Sequence, residues 1–210
     1  MRCALALTVA LAVVLPACSD DDPETAPSTS STTAPAETTT SGPTTTAAPE
    51  PEPSALALRG DGLGVVEFGA APDDAVAAVA AELGDPAQDT GWEPSFSSYG
   101  TCPGEQIRGV EWGGLVLLFT DGDTAEGTGE HFFTWRVNGA PPAVATATGL
   151  GFGATAADAE ELYPGQVERV PAEEPFPAFL DIQAEGGPLT AYLDDGDAIT
   201  NLEAGTPCGE

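Results

Sequence analysis

Apolar and polar positions divide this chain into three stretches. Residues 3–15 are apolar almost throughout, with Thr8 the polar interruption. Residues 19–54 contain no Leu, Ile, Val or aromatic residue. From Ala55 onward, large apolar residues return in periodic patterns. The clearest is "GVVEFGAAPDDAVAAVAAELGDP" (64–86). Gly64 to Phe68 alternates as a strand does. Pro72 suits a first helical turn, and Asp73 and Asp74 sit where the positive end of the helix dipole favours them. Val76, Val79, Ala80 and Leu83 recur at helical spacing and form one apolar face. Gly84 suits a left-handed cap, and Pro86 blocks continuation. The spacing predicts a strand followed by a helix.

A second copy of this pattern lies in "GLGFGATAADAEELYPGQ" (149–166). Phe152-Gly153-Ala154 matches Phe68-Gly69-Ala70, and Asp158-Ala159 matches Asp74-Ala75. Thr155 and Asp158 make a capping pattern, and Pro164 ends a shorter helix. Downstream, "GGLVLLFTDG" (113–122) parallels "GGPLTAYLDDG" (186–196), and "FFTWRVNG" (132–139) parallels "AITNLEAG" (198–205). "TDGDT" and "LDDGD" supply hairpin turns. Each copy reads as strand, helix, variable loop, strand pair and final strand. The expected class is α+β, in two related strand–helix–strands lobes, 55–140 and 141–210.

"FGA", "DDA" and "LGDP", with the hairpin spacing after them, resemble the tandem modules of the β-lactamase-inhibitor-protein and small outer-membrane lipoprotein (BamE-like) group. The resemblance covers residues 60–140 and 147–206. Copy two lacks "LGDP", and the family's leading helix is not evident. The resemblance implies an antiparallel sheet with helices on one face and a protein-binding role. It carries over no binding residue.

The N-terminal apolar run follows Met1 and Arg2. It is shorter than the ~20 residues a membrane-spanning helix needs, so residues 1–17 read as a signal peptide. The run ends in "LPAC" (15–18). Leu at −3, Ala at −1 and Cys at +1 resemble the lipobox of bacterial lipoproteins, with Pro16 a departure at −2. The resemblance implies a diacylated Cys18 as the mature N-terminus. Two acyl chains anchor stably where one does not. A plain secreted protein would instead carry a free thiol there, prone to oxidation. Residues 19–54, rich in Thr, Ser, Pro and Ala, cannot bury enough apolar surface to offset ordering entropy and read as a disordered stalk. As a coil this stalk reaches ~35 Å, and ~110 Å if drawn out. Its composition also admits O-glycosylation.

Charge narrows the partners. The chain has 34 acids against 5 bases, a net charge of −29, and no Lys. Nucleic acid and anionic membrane surfaces are repelled. A solvated acidic surface, a basic partner and divalent cations remain open. "DGDTAEGTGE" (121–130) hints at calcium, but an EF-hand loop starting at Asp121 would place Ala125, Glu126 and Phe132 at positions for a ligand, Gly and Glu. It reads as a solvated hairpin loop.

Candidate chemistry is sparse. Cys102 and Cys208 are an even pair in an exported chain, each in a Gly/Pro-flanked stretch, and predict a disulfide. His131 is the only histidine and lacks a visible partner. Nucleophile-elbow, zincin, P-loop and dinucleotide fingerprints are absent. "GWEPSFSSYGTC" (91–102) collects Trp92, Phe96 and Tyr99 in a polar setting, a candidate interaction loop. No catalytic residue, metal ligand or cofactor is assigned. The expectation is a lipid-anchored protein on the extracytoplasmic face of the cell membrane, serving as a non-catalytic protein-binding or envelope scaffold module, with a protein or cell-wall ligand. The alternatives are a carboxylate-dependent hydrolase and a calcium-dependent adhesion module.

Overall fold

Residues 56–139 and 144–209 are described in the computed structural model of the chain. The expected signal peptide, lipidated Cys18 and stalk lie outside the described residues. The first strands are short: β1 (Leu58–Arg59), β2 (Gly62–Leu63) and β3 (Val66–Glu67) form a small antiparallel sheet. The strand expected over Gly64–Phe68 is therefore only Val66–Glu67. Gly64 and Val65 are the turn between β2 and β3, because Leu63 pairs with Val66.

Helix α1 (Pro72–Leu83) follows, with Pro72, Ala75 and Val79 buried. Val76, Ala80 and Leu83 pack against the core from its margin, which is the apolar face expected from spacing. Gly84 takes a positive φ of 81° at the helix end. The helix is pinned there by Trp112, whose Nε1 donates to the Gly84 carbonyl at 2.9 Å.

Four strands come next: β4 (Gln88–Ser97), β5 (Gly100–Trp112), β6 (Leu115–Thr120) and β7 (His131–Asn138). Helix α2 (Ala156–Leu162) is succeeded by β8 (Val167–Val170), β9 (Phe179–Ala184), β10 (Gly187–Leu193) and β11 (Ile199–Gly205). The Thr155–Asp158 cap forms in both directions. The Thr155 hydroxyl accepts from the Asp158 amide at 3.2 Å, and the Asp158 carboxylate accepts from the Thr155 amide at 2.7 Å.

The eight strands β4–β11 form one sheet in the order β4-β5-β6-β7-β11-β10-β9-β8. Every neighbouring pair is antiparallel. The order is a palindrome of two four-strand meanders, each preceded by a helix, joined where β7 pairs with β11. This is the expected α+β class, dominated by antiparallel sheet.

Two stretches read as variable loops are strands. The β4–β5 hairpin occupies one, and β8–β9 the other. Alternation is masked in β4 because the register shifts between Asp89 and Trp92 and again between Pro94 and Phe96. The "LDDGD" turn does join β10 to β11, with Asp194 Oδ1 accepting from the amides of Gly196 and Ala198. "TDGDT" instead opens a longer connection, 121–130. There Asp121 accepts from the amides of Glu105 and Gln106, tying the loop back to β5.

Strand period places alternate residues on opposite sides of a sheet. One cross-strand line runs Val167–Ile182–Leu189, and Trp135–Leu117–Val110 belongs to the same side. Another runs Leu180–Ala191–Leu202–Val137–Leu115–Trp112. These apolar lines form one core cluster with Ala75 and Val79 of α1 and with Ala156 and Ala159 of α2. Trp135 is fully buried, and its Nε1 donates to the Arg59 carbonyl at 3.0 Å, which attaches the small sheet to the large one. Fully burying one such side chain contributes roughly 1.5–3 kcal/mol.

Candidate interaction face

The residues between the apolar lines make a different surface. Following the registers across the sheet, one line reads Glu168–Asp181–Thr190–Glu203–Arg136–Val116–Glu111. A second reads Val170–Phe179–Tyr192–Asn201–Asn138. The β5–β6 end of this side is covered, and the β8–β10 end is open.

The cover is built by the disulfide. Cys102 on β5 and Cys208 beyond β11 are bonded, with Cα atoms 4.2 Å apart across 106 positions. Thr101 and Gly209 exchange backbone hydrogen bonds beside them, at 2.6 and 2.8 Å. Beneath lies a second apolar cluster of Cys102, Ile107, Val116, Leu118 and Phe133, with Tyr99 and Cys208 packed on it. Tyr99 lies over Gly109, where any Cβ would collide with the phenol. Its hydroxyl donates to Glu111 at 2.8 Å. Burial first, then the Glu111 hydrogen bond, push the Tyr99 phenol up.

The open end carries a groove of about 630 Å³, lined by Glu168, Asp181, Gln183, Pro188 and Thr190 together with residues 165–167. Pro188 and Thr190 also line a hollow of about 200 Å³ that reaches Glu126 and Glu203. The two depressions meet over β10.

Between the covered and open ends sits a polar junction. Glu203 is only 7% exposed. It accepts from the Tyr192 hydroxyl at 2.8 Å and pairs with Arg136, whose Nε lies 3.2 Å from Oε2. That approach is an ion pair without hydrogen-bond alignment, since Nε is otherwise unsatisfied. Arg136 also donates to the Tyr99 carbonyl at 3.2 Å, linking the junction to the covered end. Burial and the adjacent Glu203 carboxylate push the Tyr192 phenol up to about 12.

The described arginines each have carboxylate partners. Arg59 pairs with Asp61 and Glu185, and Arg108 with Asp73 and Asp89. Arg136 pairs with Glu203 and Arg169 with Asp197. Beside these guanidinium groups the carboxyls of Asp61, Asp89 and Asp197 are held below their usual range. Asp158 is lowered by its capping bonds with Thr155. Arg169 is turned from the groove by strand alternation, opposite Leu180, which leaves Glu168 facing Asp181 across β8 and β9. Among the described residues, neither of these two carboxylates has an ion-pair partner.

Trp92, Phe96 and Tyr99 do not converge. Trp92 packs against the main core, Phe96 is 77% exposed on β4, and Tyr99 belongs to the covered cluster. Their segment is a β-hairpin rather than a loop. His131 is buried and satisfied, with one ring nitrogen 2.7 Å from the Thr124 hydroxyl and the other 2.7 Å from the Gly129 carbonyl. Sequence reading overlooked Glu168, Asp181, Arg136, Tyr192 and Glu203. The alternation in "FLDIQA" and "GPLTAYL" was the available signal for Asp181, Thr190 and Tyr192. Among the described residues, no group of three or more His, Cys, Asp or Glu is arranged to hold a metal, and no helix is long and apolar enough to cross a membrane. Comparison with known proteins returns no matching family, no matching curated protein and no matching solved structure.

Proposed function

We propose that this chain is a lipid-anchored, extracytoplasmic binding module without catalytic activity. In this reading it is a tandem duplication whose helices both lie on one side of the sheet, leaving the other side for a protein partner. The observation that carries the reading is the open groove at the β8–β10 end, next to an equivalent surface at the β5–β6 end that is closed by the disulfide. The palindromic strand order and the shared core of α1 and α2 support the duplication. "LPAC" followed by a Thr/Pro-rich stretch supports the anchor and a tether. A carboxylate-dependent hydrolase needs a carboxyl raised in pKa by burial. Among the described residues, the carboxyls that shift all shift downward.

The binding role is tested with a photo-crosslinking residue at Thr190, in the groove, and at Glu82, exposed on α1, in intact cells. Discrete adducts from position 190 and none from position 82 are expected. Equal adducts from both, or none from position 190, contradict the role. The anchor is tested by Cys18→Ala, which should move the protein from membrane to medium; unchanged membrane retention contradicts it.

A further inference from the structure

We infer that the groove over β8–β10 takes an extended polypeptide segment bearing Lys or Arg. This rests on the binding role proposed above and adds the chemistry of the partner. Glu168 and Asp181 stand directly opposite each other in the register, on neighbouring strands, without a cation of their own. Like charges so placed destabilise a strand pair. Nearby Arg169 could neutralise them from the same side, yet strand period sends it to the other side and to Asp197. Glu126 adds a further carboxylate across β10.

Other occupants fit poorly. The stalk at 19–54 carries seven acids and no base, and a second copy of the chain brings the same net charge of −29. Both are repelled, as is an anionic membrane. From β8 to β11 the surface spans ~14 Å at ~4.8 Å per strand, the length of four or so extended residues. Glu168 and Asp181, directly opposed on neighbouring strands, stand ~5 Å apart, close enough for one ammonium or guanidinium group laid between them to meet both carboxylates.

The test uses the full chain from residue 18 on, with Cys18→Ala keeping it in solution, and isotope-labelled amides. The probes are an alternating Lys-Ser octapeptide and its Glu-Ser counterpart. The Lys-Ser peptide is expected to shift amides of β8, β9 and β10, and the Glu-Ser peptide to shift none. Glu168→Gln with Asp181→Asn should weaken Lys-Ser binding about fivefold or more, the scale of two partly exposed ion pairs. Glu82→Gln with Asp85→Asn, on and just after α1, should change it less than about twofold. Shifts in the groove that survive Glu168→Gln/Asp181→Asn unchanged overturn the cationic inference and leave the docking face standing. Shifts scattered elsewhere, or equal weakening by both double variants, overturn both.

Discussion

The sulfur of Cys102 is bonded to that of Cys208, so the segment after β11 is fastened to β5. The bond does more than join distant positions. It closes the apolar cluster of Ile107, Val116, Leu118 and Phe133 and thereby makes one end of the candidate interaction face unlike the other. For a closed loop of this length the chain-entropy account gives about 4–5 kcal/mol of stabilisation, often less when measured. Reduction, or Cys102→Ser with Cys208→Ser, should lower the urea midpoint by an amount equivalent to a few kcal/mol. Non-reducing mass analysis should find two hydrogens fewer than the reduced chain. An unchanged midpoint would show that the cluster closes without the bond.

Arg136 should matter more than an ordinary surface arginine. It faces the buried Glu203, and removing one partner of a buried pair leaves an uncompensated charge. Arg136→Ala is expected to destabilise by about 3 kcal/mol. Adding Glu203→Gln should restore part of that loss, because the stranded charge is gone. A denaturation series on the single and double variants checks both, and a double variant less stable than Arg136→Ala contradicts the assignment.

Tyr192 gives a pH signature. Its phenol has a folded-state pKa pushed up to about 12, above the unfolded value of about 10. A raised pKa in the fold favours the neutral form. The contribution is fully present below about pH 10 and is lost as pH rises through 10 toward 12. Tyr192→Phe should flatten this part of the stability profile. Glu203→Gln should lower the pH at which tyrosinate absorbance appears. Wild-type and Tyr192→Phe profiles that coincide over that window would refute the shift.

The facing carboxylates of Glu168 and Asp181 are expected to oppose folding. Glu168→Gln should raise stability by about 0.2–1 kcal/mol, the range for cross-strand pairs. Asp181→Asn should do the same, and the double variant should gain less than the sum because either change alone removes the repulsion. Additive gains in thermal denaturation would mean that the two charges do not interact.

Legibility followed the local physics. Helix α1 was readable because Pro72, two aspartates, an apolar face and Gly84 all state one answer in adjacent residues. The Thr155–Asp158 cap was readable for the same reason. Strands β6, β7, β10 and β11 showed as apolar or alternating runs. The β4 strand did not, because its bulges break the period of two and Pro94 and Gly91 resemble loop residues. Strand β8 is only Val167–Val170, too short for its alternation to stand out. The candidate interaction face was hidden for a further reason. Glu168, Asp181, Thr190, Glu203 and Arg136 become neighbours only through strand order, and β7 pairs with β11 across more than sixty positions. Among 34 acids, no count along the chain distinguishes the few that line the groove. The cysteine pair was legible because, with Cys3 read as part of a signal peptide and Cys18 as a lipid anchor, only two cysteines remained.

The most direct test is cysteine labelling on intact cells with a membrane-impermeant maleimide, using Gln183→Cys in the groove and Glu82→Cys on α1. The purified protein should label at both positions. On cells, Cys at 82 should label readily, as an extracytoplasmic domain requires, while Cys at 183 should be protected by a bound partner. Equal labelling of both positions on cells would contradict occupancy of the groove, and labelling of neither would contradict the extracytoplasmic location.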